Sequence, residues 1–320
     1  MENGSFIFEN PSDFDEEGSV VASQSSRKKQ NKLKFVDLFA GIGGFHLAFH
    51  NLKADCVFAA EWDKDARKTY EHNFKHISPE LFANGNFVGD ITKVLPSAIP
   101  DFDILCAGFP CQPFSQAGFK KGFDEVRGTL FFDIVAIIKE KQPQAFFLEN
   151  VRHLLKHDNG RTFATIRRMI EEELGYSFHY QIVKASDFGL PQHRPRLFMV
   201  GFKNRAVQFD FPKPIPLKLT MSDIWQGSCN REIGFTLRVG GKGSPINDRR
   251  NWDSYLVGGV VKRIGSEQGK AMQGFPTGFE FPVSPTQAMK QLGNSVAVPA
   301  VQAVAANIIK SLLGLRDADR

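Results

Sequence analysis

From Lys34 to Phe202, short apolar runs alternate with longer segments of helical period. Strands that alternate with helices build a parallel or mixed sheet covered on both faces. Strands are expected at 34–39, 54–60, 102–107, 145–149, 180–184 and 197–202. Helices are expected at 43–51, 64–74, 129–140 and 161–174. Regular periodicity fails after about residue 203, then returns as helices at 284–291 and 299–313, separated by a turn at Gly293-Asn294-Ser295.

The first strand runs into Asp37-Leu38-Phe39-Ala40-Gly41-Ile42-Gly43-Gly44. Glycines between a strand and a helix let the backbone approach a ligand and turn into a helix N-terminus. Glu61 lies twenty residues beyond Gly41, at the tip of the second expected strand. That spacing suits a carboxylate accepting hydrogen bonds from ribose hydroxyls, and so a nucleotide-type cofactor. A dinucleotide fingerprint needs a third glycine at position 46, which is His46; hydride transfer with a nicotinamide is disfavoured by that mismatch. The bland alternative is a tight turn beside an ordinary surface glutamate.

Charge narrows the partners. The chain carries +5 overall, but residues 1–26 hold six acidic and no basic side chains, which leaves 40 basic against 29 acidic on the remainder. A basic body favours polyanions, nucleic acid first. Residues 1–32, rich in Ser, Asn, Asp and Glu, read as a disordered arm. Residues 33–202 read as the catalytic and cofactor-binding domain. The segment 203–260, rich in Pro and Gly with nine basic and five acidic residues, reads as a small loop-rich second domain. Residues 261–320 return to the first. Four cysteines with no C-x-x-C pair exclude a disulfide scaffold and a structural zinc site; a cytoplasmic protein with reduced thiols is the simplest expectation. No run approaches the roughly 18 consecutive apolar residues of a membrane span.

Three clusters could carry chemistry. Cys111 follows the strand 102–107 in the Gly/Pro-punctuated loop Gly108-Phe109-Pro110-Cys111-Gln112-Pro113-Phe114-Ser115. Open α/β sheets place their sites at that strand end. A lone cysteine is usually a small buried apolar residue, as Cys106 would be, but Cys111 has prolines and polar neighbours instead. The glycine-bearing stretch 116–129, with Lys120, Lys121 and Arg127, is a candidate lid. Glu149-Asn150-Val151 ends another strand and points at the same cleft. Gln192-His193-Arg194-Pro195-Arg196 places Gln192, Arg194 and Arg196 on one face of an extended segment, a row able to contact phosphates and bridge to Glu149.

Taken together and in order, these motifs make the chain resemble the bacterial DNA (cytosine-5) methyltransferases of restriction–modification systems over roughly residues 33–312. The marks are 35–44, Glu61-Trp62-Asp63, Gly89-Asp90-Ile91-Thr92, Gly108-Phe109-Pro110-Cys111-Gln112, Glu149-Asn150-Val151, Gln192-x-Arg194-x-Arg196, Gln273-Gly274-Phe275-Pro276 and Gly293-Asn294-Ser295-Val296. The resemblance implies an α/β, Rossmann-like, mostly parallel sheet with helices on both faces, plus a small target-recognition domain at 203–260. It implies S-adenosylmethionine as cofactor, held by Phe39, Gly41, Gly43, Glu61, Trp62, Asp90, Ile91, Pro110, Leu130, Asn294 and Ser295. It implies Cys111 as nucleophile, Glu149 holding the target base, and Arg194 and Arg196 supporting the site. Gln112, Ser115, Arg127, Gln192, Arg231, Arg238, Lys242, Arg249 and Arg250 are the expected DNA contacts. The expected partners are double-stranded DNA and, functionally but without a stable complex, a restriction endonuclease; a monomer is expected, with no membrane association. The rival readings are a tRNA cytosine methyltransferase and a catalytically silent DNA-binding regulator.

Overall fold

The structure, a computed structural model, describes residues 32–110, 130–239 and 245–318. In chain order these form β1 (Lys34–Leu38), α1 (Gly44–Asn51), β2 (Asp55–Ala60), α2 (Lys64–Phe74), α3 (Pro79–Ala83), β3 (Phe87–Val88) and β4 (Ile104–Gly108). They continue with α4 (Leu130–Lys141), β5 (Ala145–Val151), α5 (Arg161–Arg168), β6 (His179–Lys184) and β7 (Pro195–Phe202). The remainder is α6 (Met221–Trp225), β8 (Ser254–Val257), β9 (Val260–Arg263), α7 (Ser266–Gln273), α8 (Pro285–Asn294) and α9 (Val298–Ala318).

Among the described residues, seven strands form one sheet in the order β3-β2-β1-β4-β5-β7-β6. β1 to β5 pair in parallel, and β7 runs antiparallel to both its neighbours. Strands buried on both faces need near-continuous apolar sequence, and β1, β4 and β5 have it. Successive side chains alternate between two apolar layers. Phe35, Cys106, Phe147 and Val200 face one layer with Phe45 and Phe49 of α1 and Val301, Val304 and Ile308 of α9. Val36, Leu105, Phe146 and Met199 face the other, with Ile134 and Ile138 of α4 and Ile166 of α5. The sheet is therefore covered on both faces, as the alternation requires. The stretch 285–314 is long and apolar enough to cross a membrane by composition, yet half of its most apolar window is buried inside the protein. The α9 side chains in the first apolar layer account for that apolarity.

Two expectations are corrected, at the 293–295 turn and in the helix at 161–174. In the segment 203–260, Met221, Leu237, Tyr255 and Val257 lie in the same apolar layer as α1 and α9. The expected turn at 293–295 is the end of α8, which runs through Asn294. Gly293 is there for close approach: a Cβ on it would meet the Arg238 backbone at 2.6 Å. The helix expected at 161–174 ends as an α-helix at Arg168 and continues as a π-turn, Met169–Glu173. The arm 1–31 lies outside the described residues.

Candidate active site

Because β1, β2, β4 and β5 are parallel, their C-terminal ends open on one edge of the sheet. At β1 the chain leaves the strand with Phe39, Gly41 and Gly43 all in left-handed backbone, at φ +56°, +57° and +86°. A side chain at Gly41 would meet nothing within 4 Å, whereas one at Gly43 would strike the Phe74 ring at 2.2 Å. Gly41 thus leaves room for a ligand, and Gly43 lets α1 close on α2. His46, buried on α1, stacks on Phe74 with ring centroids 4.2 Å apart. Its Nδ1 lies 2.6 Å from the Tyr70 hydroxyl and its Nε2 3.0 Å from Ser78 Oγ. Burial pulls its pKa down to about 3, so the ring is neutral. A dinucleotide-type turn has glycine at this place; here an imidazole fills the space and ties α1 to α2.

Glu61 closes the turn from the tip of β2. Its Oε2 accepts the Gly41 N–H at 2.7 Å and its Oε1 the Asp63 N–H at 2.7 Å. Burial raises its pKa against those two donors. The Trp62 ring beside it is 73% exposed. Asp90 caps the 3-10 turn Ile91–Lys93 through Thr92 N–H, and Ile91 is buried where α4 packs. On the other side, a Cβ at Gly44 would lie 2.5 Å from Val296 and 3.4 Å from Ser295 Oγ, so the end of α8 sits directly on the start of α1. Ser295 is buried and Asn294 exposed. Pro110 ends the described part of the β4 loop, and Leu130 begins α4. The structure thus brings the expected cofactor residues from β1, β2 and α8 to one strand edge. Asp37, under the turn, is fully buried, and neither carboxylate oxygen meets hydrogen-bond geometry. Burial drives its pKa well up, the His46 amide opposes, and the Glu61 charge adds.

Glu149 stands two strands over from β1, on β5, with β4 between them. Arg196, the second residue of β7 and opposite Val151, places its Nε 2.9 Å from Glu149 Oε1. Burial raises the Glu149 pKa, while Arg196 and Arg194 lower it. A Cβ on Gly108 would lie 3.5 Å from Glu149 Oε2, so the carboxyl overlies the end of β4, three residues before Cys111. Asn150 Nδ2 donates to the Phe109 carbonyl at 2.8 Å and pins that strand end. Asn150 was not singled out in the sequence beyond its motif; its signal is its place at a strand tip beside a buried acid. Cys111, Gln112, Ser115 and Arg127, and the candidate lid, lie outside the described residues, as does Lys242.

The row at 192–196 is the main correction to the expected site. Gln192 and Arg194 are buried rather than facing phosphates, at 0% and 1% exposure. Gln192 Nε2 donates to the Met272 carbonyl at 2.9 Å, and its Oε1 accepts the Leu237 N–H at 3.2 Å. Gln192 is thus enclosed and paired within the protein. Arg194 donates to the carbonyls of Leu237 at 3.2 Å, Gly293 at 2.9 Å and Ser295. It is a positioning residue that joins the 231–239 segment to the end of α8. Only Arg196 reaches Glu149. Removing Arg194 takes a donor from the carbonyls of Leu237, Gly293 and Ser295 and opens a cavity, so Arg194→Ala costs about 3–5 kcal/mol of stability, read as a lower denaturant midpoint.

Arg231, Arg238, Arg249 and Arg250 are exposed. Arg231 stacks over the Phe235 ring at 4.1 Å. Arg250 is engaged by Asp248, through Nη2 at 2.8 Å and Nε at 3.1 Å. Among the described residues no group of three or more His, Cys, Asp or Glu could hold a metal ion.

A family profile described as C-5 cytosine-specific DNA methylase matches residues 33–238 and 229–310. The chain belongs to this family. The methyltransferase is 43% identical to Type II methyltransferase M.SsoII of Shigella sonnei, across 89% of this chain and 82% of the relative. It is 40% identical to M.HpaII of Haemophilus parainfluenzae, across 93% and 95%, and 38% identical to M.HhaI of Haemophilus parahaemolyticus, across 89% and 97%. Its fold is shared with a putative DNA modification methyltransferase encoded within a prophage of E. coli, at TM-score 0.65 and 20% identity over 88% of this chain and 99% of that one. The Spodoptera frugiperda DNMT2 structure gives TM-score 0.64 at 18% identity over 88% and 100%. The methyltransferase is a DNA cytosine-5 methyltransferase dependent on S-adenosylmethionine.

Proposed function

We propose that this methyltransferase modifies one cytosine within a specific duplex DNA sequence, through a covalent adduct between Cys111 and cytosine C6, and that it protects host DNA from a partner restriction endonuclease. The observation that carries the reading is the Glu149–Arg196 pair over the end of β4, three residues before Cys111.

Cytosine C5 is a weak nucleophile. In the proposed reaction the Cys111 thiolate adds to C6, and the displaced electron pair makes C5 nucleophilic. The cofactor, held by Gly41, Glu61 and Trp62, would supply an electrophilic sulfonium methyl to C5 and leave as S-adenosylhomocysteine. A base then removes the C5 proton, C5=C6 re-forms, and the thiolate leaves. Glu149 hydrogen-bonds the exocyclic amine and shares a proton with N3, offsetting charge that develops on the ring. Its raised pKa supports that role, because the carboxyl must carry a proton for part of the cycle. Arg196 holds the carboxyl in place. The target atom is inaccessible inside a duplex, so the base is flipped out at a cost of a few kcal/mol.

The cofactor fits the groups at the strand edge. Glu61 keeps lone pairs beyond its two backbone donors for ribose hydroxyls, Trp62 offers an exposed flat face for a base, and Gly41 leaves open space. Accordingly, Glu61→Ala raises the KM for S-adenosylmethionine roughly 10- to 100-fold and leaves that for DNA nearly unchanged. Equal cofactor dependence in initial-rate measurements would remove Glu61 from this role. Arg231, Arg238 and Arg249 are the described candidates for reading or gripping DNA, each good arginine–guanine pair discriminating by about 1–3 kcal/mol.

The deciding experiment is transfer of labelled methyl from S-adenosylmethionine to unmethylated duplex DNA, beside a tRNA control. Label recovered as 5-methylcytosine in duplex DNA supports the reading. Label in tRNA alone keeps the chemistry and overturns the substrate.

A further inference from the structure

Between residues 152 and 168 the chain carries five arginines and lysines. Three are closed in ion pairs: Arg161 with Asp158, Arg167 with Glu171 at 2.8 Å, and Arg168 with Glu173 at 2.9 Å. The other two, Arg152 and Lys156, are exposed and have no acidic partner among the described residues. They follow Glu149 by three and seven residues, where β5 emerges at the edge that holds the site.

The segment that carries them is anchored to the core. It starts as 3-10 turns from Arg152, breaks helical geometry at His157-Asp158-Asn159, and is anchored by Leu154, which is buried in the second apolar layer. It packs against β7, the strand that begins at Pro195-Arg196. It ends in three consecutive left-handed residues, Asp158, Asn159 and Gly160, at φ +50°, +54° and +82°. Left-handed backbone costs of order 1–3 kcal/mol at a non-glycine residue and persists only where the surroundings impose it. Here Arg161 clasps Asp158, and His157 Nδ1 meets Thr162 Oγ1 at 2.7 Å. Arg152 and Lys156, without an acidic partner among the described residues, thus follow β5 on a pinned segment that packs against the strand carrying Arg196.

We propose that Arg152 and Lys156 form a backbone-phosphate site for the DNA strand that carries the target base. This rests on the reading that duplex DNA is the substrate. A base turned out of the stack swings its own phosphates away from helical positions, and two cations three and seven residues beyond the receiving carboxyl hold them there. Arginine and lysine suit phosphate through charge-assisted hydrogen bonds. Such bonds fix register and carry no sequence information.

That property allows a test without knowledge of the target sequence. Affinity for a fluorescently labelled mixed-sequence duplex is measured across a salt series by anisotropy. The proteins are wild type, Arg152→Gln, Lys156→Gln, the double variant, and Arg167→Gln as an ion-paired control. Each single variant binds roughly three- to tenfold more weakly, and the slope of log K against log salt falls by about 0.9 for each phosphate left without its cation. Arg167→Gln keeps the wild-type slope. Binding of S-adenosylhomocysteine, followed by tryptophan fluorescence, stays unchanged in all of them and shows that the variants are folded. A double variant with wild-type slope and affinity overturns the phosphate site and leaves the substrate reading standing. A wild type that binds no duplex overturns the substrate reading, and this proposal with it.

Discussion

Cys111→Ser reduces methyl transfer to background and leaves duplex DNA binding close to wild type. Serine keeps the size of the side chain, but its hydroxyl ionises far too weakly to add to cytosine C6 at neutral pH. A thiolate is both a stronger nucleophile and a better leaving group. Removing a catalytic nucleophile typically costs roughly 10⁴- to 10⁶-fold in rate. The assay is labelled methyl transfer beside a DNA-binding titration on the same preparation. Loss of both together points to misfolding, and retained transfer excludes Cys111 as the nucleophile. The surroundings favour intact binding: the β4 end is pinned by Asn150 through the Phe109 carbonyl, a bond that does not involve position 111.

Glu149→Gln is the second large effect. Glutamine fills the same volume and still offers an oxygen to Arg196 Nε, but it cannot share a proton with the ring. The turnover number falls roughly 10²- to 10⁴-fold, the range of a general acid–base contribution, while the DNA dissociation constant changes little. The pH dependence has a definite sign. Burial raises the pKa of this carboxyl, so the proton-bearing form is present at low pH and lost as pH rises through the raised value. Wild-type turnover therefore declines on that rise, and the residual activity of the glutamine variant is flat over the same interval. A wild-type turnover number in Glu149→Gln sinks the proposed role.

The sheet and its cover were legible because the strands are runs of apolar residues and the helices are long. α2 lies at 64–74 as the pattern predicts, and α1 begins one residue later than expected. Short elements escaped. α3 has five residues, β3 has two, and the β8–β9 hairpin has four per strand, too few for a period to register. α7 hid among the glycines and charges around it. The positions of Glu61 and Glu149 at strand tips were readable from the order of the motifs. The burial of Gln192 and Arg194 was not. Their partners are backbone groups 43 to 101 residues away in sequence. No local pattern records a bond to a distant carbonyl, and a row of polar residues in an extended segment looks the same whether it faces solvent or the interior. In the segment 203–260 proline and glycine signal loops, but the burial of Met221, Leu237 and Tyr255 decides where those loops are held.

The grip on Leu237 is made through its amide and carbonyl, by Gln192 and Arg194. Neither bond depends on what Arg231, Arg238, Arg249 or Arg250 happen to be. The joint is blind to the letters it holds. Exposed positions on either side of 237 are free to be rewritten while the fastening to Gly293 and Ser295 stays in register. On the proposed reading, in which these arginines grip or read DNA, the address the molecule answers to and the chemistry it performs there can drift at different speeds across generations, and a new address can be installed without rebuilding the machine behind it.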